Sequence, residues 1–174
     1  MSDILIRPAV EADLPAITAI YEDAVRTGTA TFELTAPTLA EMTARHGNLT
    51  GAGFPYLVAI GDDDLLGYAY AGPYRPRPAY RFTVENSVYL PPRAQRRGIG
   101  LRLLTALIDA SAERGYRQMI AVIGDSANAA SIGVHTRAGF ELVGTHRNVG
   151  FKFGRWLDTV MMQRELGPGA STTP

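Results

Sequence analysis

The fold of this chain is decided by the stretch Val88-Tyr89-Leu90-Pro91-Pro92-Arg93-Ala94-Gln95-Arg96-Arg97-Gly98-Ile99-Gly100-Leu101. It predicts a strand, a turn marked by the two prolines, and a glycine-containing loop that opens an apolar-periodic helix. A loop in that place presents unpaired backbone N–H groups and the positive end of a helix dipole. The stretch therefore predicts an anion site, suited to phosphate or pyrophosphate.

Other phosphate-binding loops fit this stretch poorly. A P-loop requires Gly-x-x-x-x-Gly-Lys followed by Ser or Thr, and the chain contains no such run. A dinucleotide fingerprint requires Gly-x-Gly-x-x-Gly, whereas Gly98 and Gly100 are followed by Leu103 in the third place. One alternative stays open, an ordinary strand, turn and helix in which the two glycines only ease the turn.

Apolar periodicity along the rest of the chain predicts a mixture of strands and helices. In order, these are a strand at Ile4–Ile6, helices from Asp13 to Gly28 and from Leu39 to His46, a Gly-rich break at 48–55, strands at Tyr56–Ile60, Leu65–Ala71 and Arg81–Leu90, a helix from Ile99 to Gly115, a strand at Met119–Ile123, a helix at Ala127–Ala138, and strands at Phe140–Val149 and Phe151–Leu166. This order predicts an α+β fold with a mixed sheet. We expect one domain over residues 1–166 and a disordered tail at 167–174.

Composition excludes several classes of protein. The formal net charge of the 174 residues is zero, which argues against nucleic acid or an anionic membrane as the main partner. No apolar run reaches the length of a membrane span, and Met1-Ser2-Asp3 leads straight into a strand pattern, so we expect neither a membrane helix nor a signal peptide. With no cysteine and no metal-ligand spacing among the three histidines, we expect a cytoplasmic protein without a metal site.

A second motif lies in the predicted helix that runs from Asn128 to Gly139-Phe140. Asn128 and Ser131 stand at its start, where an amide and a hydroxyl could hydrogen-bond an amide-bearing ligand such as pantetheine. Both residue types also favour helix N-termini as caps. The two interpretations are compatible, and both stay open.

Two titratable residues are candidates for proton transfer. Glu85 lies in the middle of a long predicted strand, where acidic residues are depleted, so it either faces solvent beside an arginine or lines a cleft as a general base. His135 lies on the Asn128 helix with apolar neighbours, and it is either a proton shuttle or a half-buried structural histidine.

Three arginines precede Glu85. Arg75, Arg77 and Arg81 lie in a proline-rich loop and at the start of the next strand. Arginine can bind a carboxylate with two parallel hydrogen bonds. A small substrate with an amine and a carboxylate could use Glu85 and the arginines together, although a solvated basic loop would have the same sequence.

Taken together, these motifs resemble the GNAT family of N-acetyltransferases. The spacing Gln95-x-x-Gly98-x-Gly100 is similar to its acyl-CoA signature, and Asn128-x-x-Ser131 with the closing Gly139-Phe140 is similar to its second signature. The segment Thr83-Val84-Glu85-x-Ser87-Val88-Tyr89 and the rarer Gly150-x-Lys152-x-Gly154-x-Trp156-x-Asp158 resemble the phosphinothricin acetyltransferase branch. This resemblance runs from about Ile4 to Leu166.

The resemblance implies an acetyl-CoA-dependent enzyme that acetylates the amine of phosphinothricin or methionine sulfoximine. It implies a sheet whose parallel strands Arg81–Leu90 and Arg117–Ile123 part at their C-terminal ends to admit CoA. Glu85 and His135 match positions implicated in proton transfer. The implied acetyl-CoA-binding residues are Val88, Tyr89, Leu90, Gln95, Arg96, Arg97, Gly98, Ile99, Gly100, Leu101, Asn128 and Ser131. The implied substrate-binding residues are Arg75, Arg77, Arg81, Glu85, Asn86, Ser87 and, as a looser match, Phe32.

Two other functions remain compatible with the sequence. One is acetylation of protein N-termini or lysines, which would need an open and often acidic peptide groove. The other is a sensor that binds acyl-CoA without turnover. We also expect a homodimer, because Phe151, Phe153 and Trp156 predict more apolar edge surface than a monomer leaves exposed, and because the family resemblance suggests one.

Overall fold

The computed structural model describes residues 4–174, so the predicted start at Met1-Ser2-Asp3 lies outside the described residues. Seven strands and four α-helices follow the predicted order. They are β1 (Leu5–Pro8), α1 (Leu14–Thr27), α2 (Leu39–Gly51), β2 (Tyr56–Gly61), β3 (Asp64–Pro73), β4 (Thr83–Tyr89), α3 (Ile99–Glu113), β5 (Gln118–Gly124), α4 (Ala129–Arg137), β6 (Glu141–Lys152) and β7 (Arg155–Glu165).

All seven strands form one sheet in the order β1-β2-β3-β4-β5-β7-β6. Neighbouring strands are antiparallel except for β4 and β5, which are parallel and joined through α3. A parallel pair needs a crossover connection, and α3 provides it. The predicted α+β class with a mixed sheet is confirmed.

Each face of the sheet has its own hydrophobic core. On one face, α1 buries Leu14, Ile17 and Tyr21, whose spacing places them on one side of the helix, against tyrosines of β2 and β3. On the other face, α3 buries Leu103 and Leu107 against the sheet, beside α4. The two faces are called the α1 face and the α3 face below.

The parallel strands β4 and β5 part toward their C-terminal ends. Their pairing runs from Thr83 with Gln118 to Asn86 with Ala121 and then stops. Beyond that point β4 stays paired with β3 through Tyr89, and β5 stays paired with β7 through Gly124. The sheet therefore opens between its two central strands, as the resemblance implied.

Three predicted boundaries were wrong. Helix α2 continues through Gly47 to Gly51, past the predicted end at His46. Its N-terminus is fixed by Thr38 and Glu41, which cap each other's backbone N–H groups, and the two glycines cost helix propensity without ending the helix. Strand β4 begins at Thr83 instead of Arg81, because residues 78–80 form a short 3-10 helix.

The third difference concerns the last hairpin. The break predicted near Gly150 is absent, since β6 runs through Gly150 to Lys152. The turn lies at Phe153 and Gly154, both of which have positive φ angles (53° and 73°), as two-residue hairpins require. Gly150 is needed for close packing inside the strand, because a side chain there would collide with the ring of Phe32.

The C-terminal residues 167–174 form turns beside the start of β5. Arg117 donates hydrogen bonds to Gly169 O (3.3 Å) and Thr172 Oγ1 (2.9 Å). The disorder of this segment stays a prediction. Over residues 4–174, no helix is both long enough and apolar enough to span a membrane.

Candidate active site

A cleft occupies the gap between the separated ends of β4 and β5. Its walls are the ends of these strands, the start of α4, and the loop at Ala30 and Thr31 between α1 and α2. The cleft thus collects residues predicted from separate parts of the sequence, which are Glu85, Asn86, Ser87, Val88, Tyr89, Asn128, Ser131 and His135.

The end of β4 that borders the cleft has no strand partner on the side that faces β5. From Ser87 to Tyr89, β4 is paired with β3 alone. Strand edges of this kind offer N–H and C=O groups to an extended ligand. The predicted contacts of Val88, Tyr89 and Leu90 with pantetheine fit this edge.

The predicted anion loop has the geometry of a binding loop. Gly98 precedes α3 with φ 77°, and Arg96 has φ 59°, so the backbone turns sharply before the helix. The helix start has no side-chain cap, and the free N–H groups of its first turn, at Ile99, Gly100 and Leu101, are available to an anion. Gln95 braces the loop by donating to Leu90 O (3.2 Å). Arg96 and Arg97 are exposed beside it.

Asn128 caps α4, as one of the two interpretations predicted. Its Oδ1 accepts a hydrogen bond from the Ser131 backbone N–H (3.1 Å). Both residues also line the cleft, so contact with pantetheine stays a prediction alongside the cap.

Glu85 lies opposite Gly72 of β3 and Ile120 of β5, in the middle of the sheet. Its carboxyl group is half-buried, and this burial raises its pKa, while the positive charge of Arg75 acts in the opposite direction. A carboxylate with a raised pKa accepts a proton more readily than an ordinary glutamate does. The surroundings of Glu85 therefore suit a general base.

The three predicted arginines differ in their surroundings. All three are exposed. The guanidinium of Arg75 lies 5.1 Å from the ring centre of Tyr74, and its positive charge lowers the pKa of Glu85. Arg81 instead stacks on Phe82, 4.4 Å from its ring centre, and donates to Pro78 O. Arg77 lies in the exposed loop between them. Arg75 is thus the arginine best placed to act with Glu85.

His135 is buried, with 5% of its surface exposed. Its Nδ1 lies 2.8 Å from Ser131 O and its Nε2 lies 2.9 Å from Asn86 Oδ1. Burial lowers the pKa of His135, opposed by the contact with Ser131 O. Asn86 is also occupied, because its Nδ2 donates to Ile120 O (3.2 Å) across the parallel strands. The structure joins these two predicted residues to each other.

Glu85 and His135 lie on opposite faces of the sheet. Side chains alternate along a strand, so Glu85 points to the same face as Tyr89, which packs in the core of the α1 face. Asn86 and Val88 point the other way, toward His135 and the core of the α3 face. The cleft connects both faces through the gap between β4 and β5. Glu85 and His135 lie on opposite sides of β4.

The sequence missed three residues that shape this region. Thr31 and Tyr70 line the cleft, and Lys152 donates a hydrogen bond to the backbone of the loop that carries Thr31. Only Lys152 left a signal, as part of the Gly-x-Lys-x-Gly motif. Phe32, predicted to contact substrate, packs against Gly124 and Gly150.

Within the described part of the chain, no cluster of three or more His, Asp or Glu side chains could hold a metal ion.

Comparisons with known proteins agree with this geometry. The acetyltransferase (GNAT) domain model matches residues 6–161. A phosphinothricin N-acetyltransferase from Alcaligenes faecalis is 54% identical over 169 residues, covering 97% of this chain and 86% of the relative. An L-methionine sulfoximine/L-methionine sulfone acetyltransferase from Pseudomonas aeruginosa is 46% identical over 167 residues, covering 95% and 96% of the two chains.

A solved structure matches equally well. The crystal structure of a GNAT superfamily phosphinothricin acetyltransferase from Sinorhizobium meliloti, in complex with AcCoA, superposes with a TM-score of 0.96 at 50% identity, and the match covers 100% of this chain and 94% of that one. The family match spans most of the sequence and the relatives match almost its full length. This chain therefore belongs to the GNAT family of acetyltransferases, as the sequence motifs predicted.

Proposed function

We propose that this enzyme transfers the acetyl group of acetyl-CoA to the amine of a small amino acid-like substrate of the phosphinothricin or methionine sulfoximine type. The observation that carries the proposal is Glu85, a half-buried carboxyl group with a raised pKa that lies beside the cleft and within the electrostatic reach of Arg75. An amine and a carboxylate in one small molecule would use both groups. The names of the relatives support the same substrate class.

The proposed reaction is direct transfer. The substrate ammonium gives one proton to Glu85, directly or through water, and the free amine attacks the thioester carbonyl carbon. Backbone N–H groups near Val88–Leu90 stabilise the oxyanion that forms. The C–S bond then breaks, CoA leaves as a thiolate that takes up a proton, and the nitrogen loses its second proton to give the amide. The chain has no cysteine, so no cysteinyl intermediate can form.

Glu85 is the better candidate for the base of this reaction. Glu85 lies on the α1 face, near the loop that carries Arg75. His135 lies on the α3 face, and each of its ring nitrogens is within hydrogen-bond distance of a protein oxygen, Ser131 O or Asn86 Oδ1. The contact between His135 and Asn86 supports a role in orienting the wall of the cleft. Acetyl-CoA would contribute its pyrophosphate to the loop at Gln95–Leu101 and its pantetheine to β4, Asn128 and Ser131.

A thiol-release screen tests the substrate class. Acetyl-CoA is offered with free amino acids, their phosphinic and sulfoximine analogues, decarboxylated amines, and peptides with free N-termini or lysines. The proposal expects turnover that depends on both the amine and the carboxylate. Turnover confined to peptides would indicate a protein acetyltransferase, and acetyl-CoA binding without thiol release on any amine would indicate a sensor.

The anion loop gives a prediction about cofactor binding. A Cβ at Gly100 would lie 3.3 Å from Leu90 Cδ1, and a branched side chain there would intrude where the backbone must approach the pyrophosphate. Gly100→Val should therefore raise the acetyl-CoA KM at least about tenfold, since charge-assisted hydrogen bonds to backbone N–H groups are lost. Gly47→Val, in an open position on α2, is the matched control. An unchanged KM in folded Gly100→Val would contradict the anion site.

The assembly and location of the enzyme are also part of the proposal. The outer side of the β6–β7 hairpin exposes 56% of Phe151, 56% of Phe153 and 62% of Trp156. We expect a symmetric homodimer that buries this surface, in the cytoplasm, with no nucleic-acid partner.

Sedimentation equilibrium at micromolar concentration checks the dimer. The expected mass is twice that of one 18.8 kDa chain. Trp156→Glu should shift the population toward monomers, because it places a carboxylate in an apolar interface, whereas Glu141→Gln on the same hairpin should not. A monomeric mass for the unmodified protein would refute this surface as an interface.

A further inference from the structure

We propose that Lys152 is a positioning residue for the amine substrate, because it holds the loop of residues 28–32 in place as a wall of the cleft. This inference rests on the proposed function for the identity of the substrate. The loop, called the α1–α2 loop here, follows α1 and contributes Ala30 and Thr31 to the cleft. The cleft therefore depends on a hairpin that lies more than a hundred residues away in the sequence.

Lys152 is the only lysine of the chain, since the other residues of the 17 counted as Lys or Arg are arginines. It is buried, with 3% of its surface exposed, and its Nζ donates to Gly28 O (2.8 Å) and Thr31 O (2.9 Å). A buried ammonium is costly unless hydrogen bonds compensate for its lost hydration. These two bonds supply the compensation, and they tie both ends of a short segment to one point.

Strand β6 presents different residues to its two sides near the turn. Gly150 and Lys152 point inward and are buried, whereas Val149, Phe151 and Phe153 point outward and are exposed. The inward side packs on the α1–α2 loop, and the outward side is the proposed dimer surface. Lys152 Nζ also lies 5.0 Å from the ring centre of Phe153, so a substitution of Lys152 acts on the loop and removes this one contact with the outer side.

Phe32 fills the space between the loop and the sheet. A Cβ added at Gly150 would collide with its ring, and one added at Gly124 would lie 2.9 Å from Phe32 Cε1. Glycine at these two positions lets the ring seat fully. Packing and hydrogen bonding thus fix the same loop from the same side, which gives the Gly-x-Lys motif a physical role.

The opposite side of the loop is fixed by a second set of bonds. The hydroxyl groups of Thr31 and Tyr21 lie 2.9 Å apart in a hydrogen bond, and Thr31 Oγ1 also accepts from the Glu33 N–H. Glu33 pairs with Arg45 of α2 at 2.7 Å. Thr31 is therefore held by its carbonyl oxygen through Lys152 and by its hydroxyl through α1.

The geometry separates the two ligands of the reaction. The α1–α2 loop borders the cleft on the face of the sheet where Glu85 lies, while the anion loop and α4 are on the α3 face. Loss of the Lys152 bonds should loosen the amine side and leave the acetyl-CoA side intact. A general loss of folding would disturb both.

The test compares Lys152→Met with Arg147→Met. Methionine keeps an unbranched apolar stem but removes the charged end and its donors, and Arg147 is an exposed cation on the same strand. Lys152→Met should raise the amine KM at least about tenfold, the effect of losing charge-assisted bonds, with the acetyl-CoA KM within about twofold of the parent. Arg147→Met should change neither value. An unchanged amine KM, or equal rises in both KM values, would overturn the proposal.

Hydrogen exchange provides a readout that needs no substrate. Amides of residues 28–33 should exchange at least about tenfold faster in Lys152→Met, with exchange in α3 unchanged, because only the loop has lost its attachment. If amines are acetylated but loop exchange is unaltered, the positioning role fails alone. If no amine is acetylated, the substrate proposal fails while loop exchange still tests the attachment.

A second variant covers the case in which Lys152→Met does not fold. Lys152→Gln has a shorter side chain with one amide nitrogen and no charge, so it cannot reproduce both hydrogen bonds to Gly28 O and Thr31 O, and the same selective rise in the amine KM and in loop exchange is expected. Parent values for both quantities in folded Lys152→Gln would count against the proposal.

Discussion

Replacing Glu85 with glutamine should lower kcat at least about a hundredfold, the usual cost of removing a general base. The glutamine keeps the shape of the side chain but cannot accept the ammonium proton. Acetyl-CoA binding should be nearly unchanged, because the anion loop and α4 lie on the other face of the sheet. Steady-state kinetics and titration calorimetry measure the two quantities separately, and Glu113→Gln, at the exposed end of α3, is the matched control.

The pH profile assigns the role to Glu85 more firmly than the rate alone. Glu85 must be deprotonated to act, so activity should rise with pH through its pKa. Burial raises that pKa, so the acidic limb should lie at a higher pH than an ordinary glutamate would give. The limb should vanish in Glu85→Gln. Parent kcat with the same limb would transfer the role to His135 or to solvent.

The thermal stability of Glu85→Gln should not fall with its activity. The pKa of Glu85 is higher in the folded protein than in the unfolded chain. The contribution of Glu85 to folding stability is therefore complete below its unfolded pKa, and it is lost as the pH rises through its folded pKa. At pH 8 the buried carboxylate thus destabilises the fold. Glu85→Gln should melt no lower than the parent at pH 8, and its advantage should shrink on acidification. This excludes unfolding as the cause of the lost activity.

The second large effect concerns Arg75. If its guanidinium binds the substrate carboxylate, Arg75→Ala should raise the amine-substrate KM about 10–150-fold, which corresponds to the loss of a charge-assisted hydrogen bond worth about 1.5–3 kcal/mol. The acetyl-CoA KM should stay the same. Removing this positive charge should also move the acidic limb further toward neutral pH, because Arg75 lowers the pKa of Glu85.

The matched control for this arginine is Arg81→Ala. Arg81 is also exposed but stacks on Phe82 and donates to Pro78 O, so its loss should affect the amine KM less. Decarboxylated amines provide the second control, since they lack the group that Arg75 would bind. An equal loss of affinity for amines with and without the carboxylate would show that Arg75 does not select it.

Much of the fold could be predicted because its signals are local. The helical spacing of Leu14, Ile17 and Tyr21 predicted α1, and the turn at 61–64 predicted the β2–β3 hairpin, where Asp62 and Asp63 have positive φ angles. Glycines misled the prediction twice. Gly47 lies inside a helix and Gly150 inside a strand, and in the second case the reason is a ring that belongs to a distant loop.

The cleft could be predicted only in part. Its motif-bearing residues were found because the loop before α3 and the start of α4 have sequence signatures. The contact of His135 with Asn86 and the attachment of Thr31 to Lys152 join residues that are 49 and 121 positions apart. Spacing along the chain carries no information about such pairs, and the placement of Glu85 and His135 on opposite faces required the sheet register.

The burial of Lys152 protects this side chain from non-enzymatic acylation by acetyl-CoA. Acetyl-CoA is a reactive thioester that acylates accessible, unprotonated amines without a catalyst, whereas protonated guanidinium groups do not react. The chain has no lysine besides Lys152, and Lys152 is buried, so the one side-chain amine of the folded enzyme is out of reach of its acyl donor. An amine-reactive dye would likewise label Lys152 only after the hairpin had opened.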